Sequence, residues 1–311
     1  MTSLTPGTGG GAVTSNLRIG LVGFGEVGQV LAADLAARGV RDLVAWDRLF
    51  RVAGSPPARA AGTAAGLRAG SGLGEALAGR TLVISAVTAA ECLAVAREAA
   101  ASIAPGTYYL DVNSVSPATK VAAAAAIDGA GGRFVEAAVM SPIGPKRSAS
   151  PMLLGGPHAE AFGELAAALG LSGARHFAAV VGRASAAKMC RSVVVKGMEA
   201  LLAESLLAAR SYGVEASVLA SLGDLLPAAD WEQRAIYMMS RSVQHGLRRA
   251  EEMREVAKTV ADAGIEPWMS SACAERQQWA AACAPLDAGL LLPDFLDAVL
   301  RRPTVAPEDP A

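Results

Sequence analysis

The sequence predicts an α/β domain with a parallel sheet followed by an all-α domain. Three observations carry this expectation. Short β-rich runs alternate with alanine-rich stretches over residues 17–180. A glycine triplet falls where the first strand meets the first helix. Strand signals then stop, and residues 184–210 contain no proline and only Gly197 among glycines. Strands alternating with helices of this length imply βαβ units and therefore a parallel sheet. A long apolar run without breakers is a helix.

Taken in order, residues 17–22 read as a buried strand, 26–37 as a helix and 43–46 as a second strand ending at Asp47. Further strands are expected at 81–86, 108–112 and 134–139, separated by helices near 90–102 and 117–127. Segments 152–154 and 175–180 flank a helix over 158–169 and are expected to complete the sheet. Beyond Gly182, helices are expected at 184–210, 216–222, 231–263 and 267–282. The expected domains are 17–180 and 181–300, with tails at 1–16 and 301–311. The first tail is rich in Gly, Ser and Thr and lacks the charged start of a secretory signal.

Composition narrows the function. The chain has 311 residues, 52% of them hydrophobic, which suffices for two cores. No run approaches the roughly 20 apolar residues of a membrane span. A formal charge of −1, no basic block and 5% aromatic residues give no nucleic-acid footprint. Cys92, Cys190, Cys273 and Cys283 are far apart, and so are His158, His176 and His245. That spacing suits neither zinc nor a disulfide framework, so reduced thiols and a cytoplasmic location are expected, with no metal.

Gly23-Phe-Gly-Glu-Val-Gly28 fits the G-x-G-x-x-G fingerprint of a Rossmann unit. The first glycine permits the tight turn and the second admits a pyrophosphate. The third lets helix and strand pack closely. Helix N–H groups and dipole then face the phosphates. Phe24, Glu26 and Val27 complete the turn. Asp47 follows the last glycine by roughly 20 residues, where a carboxylate accepts the adenine-ribose hydroxyls and repels a 2′-phosphate. That favours NAD. Arg48 points both ways, because a guanidinium there can pair with a 2′-phosphate or simply be a solvated charge. The cofactor is therefore NAD or NADP, with NAD favoured slightly.

On the long helix, Lys188, Ser192, Lys196 and Glu199 fall within an arc of roughly 80°, with Arg191 beside it. Cys190, Val194, Met198 and Leu201 lie opposite and read as core. The polar stripe faces either solvent or the interdomain cleft. In the cleft, Lys188 would be a candidate acid/base.

Gly182-Arg-Ala-Ser-Ala-Ala-Lys188-Met-Cys-Arg-Ser192 resembles the catalytic helix of the β-hydroxyacid and 6-phosphogluconate dehydrogenases. Asp111-Val-Asn-Ser-Val-Ser-Pro117 looks like that superfamily's D-x-S-T-x-S-P segment, and His245-Gly-Leu-Arg-Arg-Ala250 lies where many relatives have K-D-L. The stretch from Lys188 to Ala203 is similar to the subgroup with a phosphogluconate-dehydrogenase-like C-terminal domain. The resemblance runs from about Leu17 to Leu296.

It implies that Lys188 is the general acid/base and that Ser114 lies near substrate and nicotinamide. Ala86, Val87 and Asn113 would join the cofactor contacts. Ser192 replaces a substrate-orienting Asn. His245 replaces a Lys, and either contacts ligand or is structural. The familiar substrate loop D-A-P-V-S-G-G is here Glu136-Ala-Ala-Val-Met-Ser-Pro-Ile-Gly144, which leaves Met140 or Ser141 at the usual Ser position. Lys146, Arg147, Arg191 and Lys196 are candidate anion contacts.

The resulting expectation is an NAD(P)-dependent oxidoreductase acting on a β-hydroxyacid or related small anion. Decarboxylation could follow for a phosphogluconate-like sugar acid. An imine reductase and a non-catalytic nicotinamide sensor are the alternatives. A homodimer is expected through the long apolar helix.

Overall fold

The computed structural model describes residues 16–225, 230–286 and 289–302, so most of the expected tails lie outside it. Contacts divide the chain into a unit ending at Lys188 and one beginning at Met189. The division falls inside the long helix, a little beyond the boundary expected at 180.

In the first unit, β1 (Arg18–Val22) leads into α1 (Glu26–Ala37) and β2 (Asp42–Trp46). Next come α2 (Pro56–Thr63), β3 (Leu67–Ala69) and α3 (Leu73–Leu77), none of them expected. β4 (Leu82–Ser85), α4 (Cys92–Ala100), β5 (Tyr108–Asp111), α5 (Pro117–Gly129) and β6 (Arg133–Val139) follow. A short α6 (Ile143–Lys146) precedes β7 (Met152–Gly155), α7 (Ala159–Ala168) and β8 (Ala174–Ala178). The strand order is β3-β2-β1-β4-β5-β6-β7-β8. Its first six strands have the doubly wound order, whose switch point between β1 and β4 is where ligands bind. All pairs are parallel except β6 with β7, which is antiparallel.

Two cores cover the two faces of this sheet. Ile19, Leu21, Leu31, Leu35 and Phe162 belong to one, and Val22, Val83, Val95, Tyr109 and Phe134 to the other. Burial on both faces explains why the central strands read as continuous apolar runs without alternation. The missed α2 did carry a signal: Ser55 Oγ accepts from Ala58 N, with prolines at the first helical positions.

The second unit holds most of α8 (Arg183–Ser211), then α9 (Glu215–Leu225), α10 (Trp231–Asp262), α11 (Trp268–Ala281) and the unexpected α12 (Leu292–Leu300). Leu206, Met239, Leu296 and Phe295 centre its main core. α10 and α11 approach so closely that a Cβ at Gly246 would stand 2.3 Å from Gln277 O. No helix among the described residues is long and apolar enough to cross a membrane.

The expected facing of α8 is corrected. Cys190 is exposed, and Val194 and Leu201 are 62% and 57% exposed, although all three read as core. Ser192, Lys196 and Glu199 are buried instead. The polar side chains have internal partners: Lys196 pairs with Glu252, while Glu199 pairs with Arg249 and accepts from Gln277. Paired charges can be buried, whatever the polarity of the stripe.

Candidate active site

The first and third positions of the turn are glycine because the backbone leaves no room there for a side chain. Gly23 has φ +91°, and a Cβ there would lie 2.3 Å from Ala86 O. At Gly28 it would lie 2.3 Å from Gly23 O. At Gly25 it would meet nothing within 4 Å. The first and third glycines thus satisfy packing, whereas the second guards open space at the start of α1. Gly25 is the N-cap of α1 and provides no side-chain cap, which leaves N–H groups of that helix for an anion. This cradle fits a dinucleotide pyrophosphate. Glu26 and Val27 form its first helical residues.

Phe24 is 1% exposed and packs edge-to-face on Phe50, with centroids 5.8 Å apart. Its side chain is core, and its backbone N donates to Asp47 Oδ2 at 2.7 Å. Asp47 Oδ1 accepts from Leu49 N at 2.8 Å. Asp47 therefore braces the turn, and each oxygen keeps a second lone pair for a ribose hydroxyl. Arg48 forms a surface ion pair with Glu91 at 2.6 Å.

At the end of β5 a buried network shapes the next segment. Asn113 is 4% exposed; its Oδ1 accepts from Val87 N at 2.7 Å and its Nδ2 donates to Ser85 Oγ at 3.0 Å. Its side chain thus holds the Ala86–Val87 turn in place. Asp111 Oδ1 accepts from Asn113 N at 2.9 Å and from Lys120 Nζ at 2.7 Å. Cys92 Sγ donates to Asp111 Oδ2, and burial with that carboxylate pushes its thiol well up. Lys120 and Ser85 escaped sequence reasoning, and Asp111 entered it only as the first residue of a motif. Lys120, the one cation in a run of alanines, was the available signal.

Ser114 follows on this network, and its Oγ accepts a hydrogen bond from Lys188 Nζ. Val115 is fully buried, and Ser116 caps α5 by accepting from Thr119 N at 3.3 Å. Gly23, Val87, Asn113, Ser114 and Lys188 are thereby linked within one compact unit. A Cβ at Gly23 would also lie 3.0 Å from Val87 Cγ1.

Ser141 lies in the loop after β6, where its Oγ donates to Pro142 O at 3.4 Å. In the same loop Arg147 Nε donates to Asp34 Oδ1 at 2.8 Å, and Ser148 N donates to Asp34 Oδ2 at 2.9 Å. Burial works to raise the Asp34 carboxyl, but Arg147 and Ser148 outweigh it and hold it below the ordinary value. Arg147 is accordingly a loop charge, while Lys146 is exposed. Arg191, Ser192, Lys196 and His245 belong to the helical unit. Arg191 is exposed, Ser192 buried and His245 half-buried. Burial lowers the affinity of Lys196 for its proton despite Glu252, and Cys273 Sγ donates to Lys196 O at 3.1 Å. Among the described residues no cluster of acidic, His or Cys groups could hold a metal.

Residues 18–182 match the family described as the NAD binding domain of 6-phosphogluconate dehydrogenase. Residues 209–280 match a domain of unknown function, DUF1932. A conserved hypothetical protein from Sinorhizobium meliloti is 35% identical, covering 93% of this chain and 98% of its own, with a TM-score of 0.71. The conserved protein MTH1747, described as structurally similar to 3-hydroxyacid dehydrogenases, is 34% identical. That match covers 84% of this chain and 96% of its own, with a TM-score of 0.65. Mycobacterium tuberculosis 3-hydroxyisobutyrate dehydrogenase with L-serine shares the fold at 20% identity. It covers 90% of this chain and 99% of its own, with a TM-score of 0.67.

Proposed function

We propose, from the premise that the chain belongs to the family built on the NAD-binding domain of 6-phosphogluconate dehydrogenase, that it is a dehydrogenase of a small β-hydroxyacid or related hydroxylated anion. The hydrogen bond from Lys188 to Ser114, in the unit that carries the glycine turn, is the observation that supports this reading best.

When bound, the dinucleotide supplies hydride transfer at nicotinamide C4. Gly25 and the start of α1 would hold its pyrophosphate, and Asp47 would accept its ribose hydroxyls. Ala86, Val87 and the Asn113 backbone would serve its nicotinamide end. Lys188, unprotonated at that moment, takes the proton of the substrate hydroxyl, and in reverse returns it to the forming alkoxide. Ser114 orients Lys188 and the hydroxyl together. Ser141 and, one turn beyond Lys188 on the same helix, Ser192 are assigned to substrate, and Arg191 to its anionic group, since Arg147 and Lys196 already have carboxylate partners. NAD is favoured over NADP because the Asp47 carboxylate would repel a 2′-phosphate and Arg48 is drawn to Glu91.

Pairing into a homodimer would cover the exposed Cys190, Val194 and Leu201 on α8. Sedimentation should then show twice the 31.5 kDa of one chain. The reaction is tested with a panel of 3-hydroxy acids and their keto acids, using NAD and NADP in parallel and following nicotinamide absorbance. Lys188→Ala should lower kcat by about 10³-fold and leave dinucleotide affinity nearly unchanged. Undiminished turnover would refute the assignment. Reduction of imines alone would identify an imine reductase, and dinucleotide binding without turnover of any compound a sensor.

A further inference from the structure

Glu136 lies on β6 with 0% exposure and touches the start of the helix that carries Lys188. Its Oε2 accepts from Gly182 N at 2.7 Å, and its Oε1 accepts from Ser185 N at 2.6 Å. Gly182 immediately precedes α8 and Ser185 lies in its first turn, where the helix itself offers these N–H groups no acceptor. A carboxylate out of water needs such charge-assisted bonds, and the positive end of the helix dipole favours it further. Ser185 does not provide the cap itself, because its Oγ donates to Gly182 O at 3.1 Å.

The surroundings are shaped for this acid. The antiparallel register sets Gly155 opposite Glu136. A Cβ at Gly155 would stand 2.5 Å from Glu136 Oε2, so the strand leaves room for the carboxylate only because that residue is glycine. Gly182 has φ +96°, and a Cβ there would lie 3.3 Å from Pro117 Cβ. The start of α8 is thus seated against the segment that bears Ser114. Ser185 and Lys188 are three residues apart and share one helix face.

We propose that Glu136 is a positioning residue: by gripping Gly182 N–H and Ser185 N–H it sets where Lys188 Nζ meets Ser114 Oγ. This rests on the reading of Lys188 as the acid/base. Glu136 touches neither reacting atoms nor cofactor in this role, and it moves no proton. Its effect is on geometry, where an error of about 1 Å costs about 100-fold in rate.

The test uses two variants of the full chain. Glu136→Gln keeps one acceptor oxygen but turns an amide NH₂ toward an N–H donor. Gly155→Ala leaves Glu136 intact and pushes its carboxylate aside. Both should lower kcat by about 100-fold, with KM and NADH affinity near those of the parent, and both should speed amide exchange at residues 182–185. Faster exchange with parental kcat would reduce Glu136 to a structural cap and overturn the proposal. Lost turnover with unchanged exchange, or with NADH affinity lost as well, would also overturn it. If no panel compound turns over, the [¹³Cε]lysine signal of Lys188 serves in place of kcat. It should move in both variants, and an unmoved signal would sink the idea. Full turnover by Lys188→Ala would instead refute the acid/base role of Lys188, while the exchange result would still report on the cap.

Discussion

The two units bury charge in different ways. In the sheet unit, the polar atoms of Asp111 and Asn113 at the end of β5, Lys120 on α5 and Glu136 within β6 are tied largely to backbone: Asn113 N, Val87 N, Gly182 N, Ser185 N and Asp111 O. Each such bond fixes the course of the chain. In the helical unit, Lys196, Glu199, Arg249 and Glu252 are tied chiefly to one another across packed helices. Those bonds choose which helix faces meet. A buried charge therefore shapes a loop in the first unit and a packing arrangement in the second, and removing it should have different consequences.

Lys120→Met should show the largest effect. It leaves the Asp111 carboxylate buried without its cation, a loss of about 3–5 kcal/mol, read as a lower urea midpoint. Adding Asp111→Leu should not restore stability, because Asn113 N–H and the Cys92 thiol then lose their acceptor as well. Full recovery in the double variant would break the contrast between the units. Gly25→Val should come next: filling the open space should weaken NADH binding by about 100-fold, near 2.7 kcal/mol, at parental stability. Binding within a few-fold of the parent would place the pyrophosphate elsewhere.

In the helical unit, Lys196→Met should cost about 1–3 kcal/mol, since Arg248 still holds Glu252 at 2.6 Å. Here the companion change Glu252→Leu should recover most of the loss, because an apolar pair can replace an ion pair. The smallest effect concerns pH. The folded Asp34 carboxyl is held below its ordinary 3.8. The unfolded chain consequently takes up the proton first as pH falls. The Arg147 clamp contributes fully above pH 3.8 and is lost as pH drops through the lower folded value. Asp34→Asn should flatten the acid limb of the stability curve, and an unaltered limb would remove the clamp from the account.

Legibility in the sequence followed the range of each requirement. The glycine turn could be read because Gly23 and Gly28 answer to atoms within a few residues or on the adjoining strand end. α12 was missed although Leu292, Phe295, Leu296 and Val299 are buried at helical spacing, because nine residues make a short pattern. α2 was missed beside a plain Ser-Pro-Pro start signal. The facing of α8 was inverted for a different reason. Polarity predicts exposure only when no partner is available inside, and the partners Arg249 and Glu252 lie some fifty residues along the chain.

By itself, the sequence determined the alternation of strands and helices that passes into helices alone, the dinucleotide turn and the presence of Lys188 on a long helix, since each depends on local backbone demands and short-range periodicity. Only the tertiary structure decided that Lys188 meets Ser114, that Glu136 grips the start of α8, and which face of that helix is buried. Those outcomes depend on contacts between residues distant in sequence, where charge, space and hydrogen-bonding partners must be satisfied together.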